Sequence, residues 1–362
     1  MTSRPRIAYV VDALPAMGGG EKTLFAALEL FPQADVFTLI YNQNAFTNTP
    51  IANRKIFTSY LDKLPFAKTH HRLFLPLMPS AIERFDLCQY DVIVSFSYAV
   101  AHGVNGNQGT RHISYTYTPM RYAWSDINLD GTHTPKNPVL DLAMESFRNW
   151  DRAAASRVDE FAAISQGIAK RIQSAYRREA RVIYPPVEVE RFHPNSNGRR
   201  GDYFVMLSRL VPHKRIDLVV DAFSKLNLPL KIIGDGPQRA GLQKRAGPNI
   251  EFLGYQPDEI VAQLLEKARC FVCAAEEDFG IAMVEAQAAG CPVIAYQAGG
   301  ALESVVDGIT GLFFEDQSAA SLSEVVKRFN DSERCFHYQD LADNAQRFSK
   351  ERFRRSFEEF VG

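Results

Sequence analysis

The sequence predicts a two-domain α/β protein built on parallel sheets. Three observations carry this. Strand-like and helix-like stretches alternate from one end of the chain to the other, the pattern of parallel α/β domains. The strand-like stretches are continuous apolar runs, which fits strands covered by helices on both faces. The length, 362 residues, at roughly 150 per domain favours two domains over one or four.

The elements follow in order. The N-terminus, MTSRPRIAYVVDALPAMGGG, places two arginines before an apolar stretch and so imitates an export signal. That stretch is short, contains Asp12 and ends in glycines, so it reads as the first strand, RIAYVV (6–11). Further strands are expected at 34–40, 91–97, 111–117, 160–165 and 181–185 in the first half. In the second half they are expected at 202–208, 230–234, 250–254, 269–275, 291–296 and 311–314. Helical periodicity is clearest at 213–226, 257–268, 279–289 and 317–329. The segment YPPVEVERFHPNSNGRRGD (184–202), with three prolines and a polar tail, marks a linker between bodies that open and close. The domains are therefore drawn as 1–186 and 187–345. The remainder, 346–362, forms a helix whose Phe353, Phe357 and Phe360, with Phe348 about a turn earlier, need a surface to bury against, expected at the domain junction.

Composition narrows the function. With 46% hydrophobic and 23% charged residues the chain is a folded globular protein. No apolar run approaches the roughly 18 to 20 residues that span a bilayer. A net charge of −1 argues against a nucleic-acid partner. Up to residue 186 there are 20 Lys and Arg against 16 Asp and Glu, a small excess that suits an anionic partner or membrane surface. Five scattered cysteines, Cys88, Cys270, Cys273, Cys291 and Cys335, are reduced, cytosolic usage. Cys270 and Cys273 form a CxxC inside ARCFVCAA, a buried strand without the turn a zinc or redox site needs, and read as core residues.

Four segments can carry chemistry. In AAEEDFGIAMVEAQAAGCPVIAYQAGG (274–300), Glu277 follows a strand, Gly280 permits close backbone approach, and a helix runs to about Ala289. Glu285 comes eight residues after Glu277; were the span wholly helical, the carboxylates would lie about 12 Å apart along the axis, suited to the two ends of one elongated ligand. The helix N-terminus suits a phosphate. The plain alternative is a pair of solvated glutamates. In MLSRLVPHKRIDLVVDAF (206–223), Arg209 and Lys214 lie between a strand and the following helix, where they can hold a diphosphate or simply be solvated. The turn IIGDGP (232–237), with Gly234 and Gly236, opens a helix. The loop Gly18-Gly19-Gly20-Glu21 follows the first strand and can pass backbone N–H groups against a phosphate or sugar.

Taken together, the GGGE loop, SRLVPHK, the GDGP turn, the glutamate pair in EEDFGIAMVE, and GGALESVVDGITGLFF resemble the retaining glycosyltransferases of family four. The resemblance implies the GT-B fold, two Rossmann-like domains with parallel sheets facing a central cleft. The N-terminal stretches LPLMPSAIERFDL, SYTYTPMRYAW and FRNWDRAAASRVDEFAAIS resemble a branch that builds bacterial surface polysaccharides, often with mannose from GDP-mannose. The resemblance implies that Arg209 and Lys214 bind the donor diphosphate, Glu277 the sugar hydroxyls and Glu285 the ribose. The backbone at Gly280 and Ile281 approaches sugar and phosphates, Gly18, Gly19 and Gly20 close the phosphate side, and Glu303 borders the cleft with Gly299 and Gly300. One departure stands out: the branch carries His before Thr-Pro-Met-Arg-Tyr, and this chain has Tyr117. Acceptor-side candidates are Tyr117, Arg121 and His112; His112 and His102 also have a structural reading as hydrogen-bonded histidines.

The resemblance implies retaining hexosyl transfer from a nucleotide-diphosphate sugar to a glycan or lipid-linked acceptor, with no cofactor and no metal requirement; consistently, Arg209, Lys214 and helix dipoles can do the electrostatic work. Its expected place is the cytoplasm, at the inner face of the membrane if the apolar-basic stretch FAKTHHRLFLPLMP (66–79) contacts lipid instead of folding onto the domain. An NAD-dependent dehydrogenase is disfavoured by the lack of GxGxxG, with Asp35 at the start of strand two rather than its end. A glycosidase would place its carboxylates around one bond. A non-catalytic or weakly active nucleotide-sugar-binding member of the same fold remains the alternative, kept open by Tyr117.

Overall fold

The computed structural model describes residues 5–124, 138–193, 200–331 and 336–362. The described residues divide into two units: the first holds those up to Pro186 and takes back Phe353–Gly362, and the second holds those of Val187–Arg352. Part of the linker, 194–199, and Cys335 lie outside the described residues.

The first unit carries a seven-stranded sheet: β1 (Ile7–Val11), β2 (Asp35–Thr38), β3 (Ile56–Thr58), β4 (Val92–Ser97), β5 (Arg111–Thr116), β6 (Glu160–Ala163) and β7 (Ala180–Val182). Their order is β3-β2-β1-β4-β5-β6-β7, every pair parallel. The second unit has six: β8 (Phe204–Leu207), β9 (Leu230–Ile233), β10 (Ile250–Gly254), β11 (Cys270–Cys273), β12 (Val293–Tyr296) and β13 (Gly311–Phe314). Their order is β10-β9-β8-β11-β12-β13, again parallel. Both are Rossmann-like sheets, and all twelve strands expected from the apolar runs occur. The extra strand, β3, is three half-buried residues, too short to announce itself by pattern.

Each strand order reverses once, at β1/β4 and at β8/β11. Loops leaving the two strands of such a reversal turn to opposite faces and open a crevice at the carboxyl ends. This topology selects the places where chemistry can gather.

The last helix, Lys350–Val361, buries Phe353, Phe357 and Phe360, spaced four and three apart on one face. Phe357 stacks on Phe96 at 6.0 Å, and Phe353 meets Tyr115 edge-on at 6.0 Å. Tyr9 closes the cluster against Phe96 at 5.3 Å. Arg111 satisfies the helix end, its guanidinium donating to the carbonyls of Val361 (3.0 Å) and Phe360 (3.1 Å). Phe348 parts company with these three: it packs in the second unit against Phe279 at 5.3 Å. Truncating Phe357, fully buried, to Ala is expected to lower stability by about 3–5 kcal/mol. Urea unfolding should show a lower midpoint with an unchanged slope.

Candidate functional site

The second unit assembles its charged residues at the β8/β11 reversal. Arg209 sits on the loop after β8, exposed, and that loop is stacked on the GDGP turn. Ser208 N donates to Ile233 O at 3.0 Å, Leu210 N to Asp235 O at 3.0 Å, and Gln238 N to Leu210 O at 3.1 Å. The stacking explains both glycines. Gly234 has φ +123°, and a Cβ there would run into the Ser208 carbonyl; one on Gly236 would meet the Leu210 carbonyl. Gly234 and Gly236 thus set the height of the Arg209 loop. Lys214 ends the short turn Pro212–Lys214, and its Nζ donates to Glu277 Oε2 at 2.6 Å. Both side chains are about one-fifth exposed, at 22%.

Glu277 lies on the loop after β11, outside any helix. The helix spans only Ile281–Ala288, because Gly280 adopts φ +89° and breaks the path between them. The 12 Å spacing of a continuous helix therefore does not apply to the glutamates. Gly300 N donates to the Glu277 carbonyl at 2.7 Å, which sets Gly299 and Gly300 beside it. Glu303 follows on the half-buried turn Ala301–Ser304.

Glu285 faces inward from the helix and is nearly fully buried. Arg191, from the turn Val189–Arg191, donates to its Oε1 at 2.8 Å and to Asp258 Oδ2 at 2.6 Å. Sequence reasoning missed Arg191, which looks like a solvated residue of a proline-rich linker. It also missed the buried amides beneath the site. Gln287 Nε2 donates to Ser304 O at 2.7 Å, and Asn344 Nδ2 to Gln287 Oε1 at 2.6 Å and Ser304 O at 2.8 Å. Ser304 Oγ donates to Gly300 O at 3.0 Å. This network fixes the glycines beside Glu277.

In the first unit, Gly18 is extended, whereas Gly19 and Gly20 already belong to the helix Gly19–Leu30, so the loop is shorter than expected. Tyr117, just after β5, donates its hydroxyl to Gly20 O at 2.8 Å. A Cβ on Gly20 would stand 3.3 Å from the ring. Burial raises the phenol, which keeps it protonated and a donor. At the β1/β4 reversal Asp12 accepts four backbone N–H groups, from Tyr98 (2.6 Å), Ala99 (3.0 Å), Val100 (2.5 Å) and Ala101 (2.7 Å). Burial pushes its carboxyl upward, and those donors pull the other way. Arg121 opens the turn Arg121–Trp124 with its guanidinium 6.0 Å from the Tyr98 ring.

Two histidines take structural places. His112 is the second residue of β5, at the opposite end of that strand from Tyr117, and is buried with its Nε2 3.0 Å from Ser95 Oγ. His112 thus sits near the start of β5, away from the loop that follows the strand. His102 is buried between Ser97 Oγ (2.9 Å) and Asp151 (3.0 Å). Cys270 and Cys273 are buried in β11, and burial pushes the Cys273 thiol up to about 12. Among the described residues no group of three His, Cys, Asp or Glu is placed to hold a metal ion.

Residues 189–348 match the family described as glycosyl transferases group 1. An uncharacterized glycosyltransferase of Methanocaldococcus jannaschii is 29% identical over 210 residues, 56% of this chain and 58% of that one. A GDP-mannose-dependent monoacylated alpha-(1-6)-phosphatidylinositol monomannoside mannosyltransferase of Corynebacterium glutamicum is 31% identical over 205 residues, 48% of this chain and 54% of that one. The matches thus span little more than half of these curated relatives. In fold, the chain is similar to HepE of Anabaena, solved with UDP and glucose (TM-score 0.70, 18% identity, 99% of each chain). It is also similar to sucrose-phosphate synthase of Thermosynechococcus elongatus (TM-score 0.76, 18% identity, 99% of this chain and 98% of that one).

Burial holds His112 neutral, with its pKa lowered to about 3. The unfolded chain, titrating near 6.5, binds a proton that the folded chain refuses. Stability should therefore fall as pH drops from about 6.5 toward 3, by up to about 1.4 kcal/mol per unit. Urea midpoints between pH 7 and pH 4 should show this slope, flattened in His112→Gln.

Proposed function

We propose, from the premise that the chain is a GT4-like glycosyltransferase of the GT-B fold, that it moves a hexose from a nucleotide-diphosphate sugar to an acceptor hydroxyl. The observation that carries the proposal is the 2.6 Å pair of Lys214, on the same β8 loop as the exposed Arg209, and Glu277, on the loop after β11, at the strand-order reversal. A crevice with two cations and a carboxylate suits a ligand that is anionic at one end and rich in hydroxyls at the other.

In this proposal Arg209 and Lys214 bind the diphosphate and stabilise the charge that grows on it as the sugar departs. Glu277 accepts hydrogen bonds from sugar hydroxyls while it orients Lys214. The N–H groups at Gly280 and Ile281, at the start of a helix, approach the phosphates. Glu285 takes the ribose, Glu303 borders the site with Gly299 and Gly300, and Gly18, Gly19 and Gly20 serve the phosphate side. Tyr117 and Arg121 stand on the acceptor side.

The anomeric configuration is retained: the acceptor attacks the face the leaving group vacates, and the departing phosphate takes the acceptor proton. The reaction uses neither metal nor organic cofactor. The donor is GDP-mannose, a reading supported by the GDP-mannose-dependent relatives. The acceptor is a glycan or lipid-linked saccharide of a surface polysaccharide, met at the inner face of the membrane. Tyr117 favours one second reading. Its ring covers Gly20, as a binding member with little turnover would tolerate.

Arg209→Ala and Lys214→Ala should each lower turnover at least 100-fold, read as nucleotide release, while melting stays within a few degrees of the parent. Normal turnover in both variants removes the diphosphate assignment. A saturating donor, at about 100 times its Kd, should stabilise the fold by about 2.7 kcal/mol. Thermal shifts with GDP-mannose alone, and not with UDP- or ADP-sugars, support the donor; a shift with none of them defeats it. A GDP-mannose shift without nucleotide release decides for the binding member.

A further inference from the structure

Four large apolar side chains exposed in the first unit fall in one short stretch: Tyr60 (36%), Phe66 (72%), Leu73 (73%) and Leu77 (44%). Exposed apolar residues scattered singly are ordinary; a run of them is not. The stretch comprises the turn Tyr60–Lys63, the tight helix His71–Leu77 and the helix Met78–Ile82. Its inner side is firmly seated. Leu61, Ala67, Met78, Ala81 and Ile82 are buried in the core, with Leu64, Phe74 and Leu75 packed against it. The outer side is held in shape by backbone bonds, His70 N to Phe66 O at 2.7 Å and Leu73 N to His70 O at 3.0 Å, and by Tyr60 Oη at 3.0 Å from Ser80 Oγ. Phe66 presents its ring from a left-handed backbone (φ +62°), a costly conformation for a bulky residue.

Charge identifies what covers this face. From Lys63 to Ile82 there is no Asp or Glu, while Lys63, Lys68 and Arg72 all fall there. The flanking Asp62 accepts Tyr41 N at 2.9 Å and lies 4.0 Å from Lys68. Apolar tips among cations match the boundary of an anionic bilayer, where rings and aliphatic chains enter the headgroup layer and ammonium and guanidinium groups meet phosphate.

We propose that this face of the first domain docks on an anionic phospholipid surface, with Phe66, Leu73 and Leu77 as the inserted residues and Lys63, Lys68 and Arg72 on the headgroups. It gives a surface to the membrane location proposed above, and it stands on vesicle binding, independent of any sugar donor.

The full chain is sedimented with vesicles of phosphatidylcholine containing phosphatidylglycerol, and with phosphatidylcholine alone. Binding to the anionic vesicles only, weakened by salt, is expected. The triple variant Phe66→Ser, Leu73→Ser, Leu77→Ser should bind at least 10-fold more weakly, as should Lys68→Ala with Arg72→Ala. Circular dichroism and melting should match the parent, since these side chains are exposed. Phe66→Gly relieves the left-handed backbone, so its melting should hold or rise while vesicle binding falls. The proposal is overturned if the parent ignores anionic vesicles or if the triple variant binds as well as the parent. It is overturned equally if the substitutions instead dissociate a dimer of the chain. The donor thermal shift should be the same in parent and triple variant, so failure here and failure of the transfer reading are told apart.

Discussion

Lys214 and Glu277 meet only because β8 and β11 are neighbours in the sheet, although 63 residues separate the pair in the chain. A strand order that separated β8 from β11 would part them. The surrounding residues hold the two loops at the right height. Gly234 and Gly236 let the Arg209 loop settle on the GDGP turn, and Gln317 ties the carbonyl of Ala274, at the end of β11, to Arg215 beside Lys214. Both partners are partly exposed, so the ion pair is hydrated and exchangeable.

The first unit solves the same topological problem in another way. There the residue leaving β1 is Asp12, and its carboxylate is consumed by the four N–H groups at the end of β4. Oriented backbone donors around a buried carboxylate make a rigid loop, and removing the acceptor would strand several buried donors. The two reversals are therefore unequal in chemistry. One gathers charged side chains; the other gathers backbone groups on a fixed scaffold, with Tyr117 and Arg121 nearby.

Much of this was legible in the sequence, for physical reasons. Strands covered on both faces write themselves as apolar runs, so twelve of them could be read, whereas the half-buried Ile56–Thr58 leaves no such record. Helix limits were harder, because they are set by single residues: Gly280 delays the helix to Ile281, and a periodicity count passes over that break. Charged residues on loops after strands could be found from position alone. The amides Gln287 and Asn344 could not, since a buried polar residue in a helix reads like any solvated one until its partners are known. The position of His112 was hidden for the converse reason. Proximity to Tyr117 in the chain says nothing about which end of a strand a side chain occupies.

Arg191 places a condition on the part proposed for Glu285. The Glu285 carboxylate is deeply buried, and the Arg191 guanidinium pairs with it at 2.8 Å while also holding Asp258. A ribose hydroxyl is neutral; it can donate a hydrogen bond but cannot replace that charge. Displacing Arg191 would exchange an ion pair for a hydrogen bond to a neutral group, so a ribose is better placed to join the pair than to compete with it. Arg191 then acts as a brace that fixes the direction of the Glu285 carboxylate before any ligand arrives, and the planar two-sided grip of a guanidinium is what lets one residue brace two carboxylates at once.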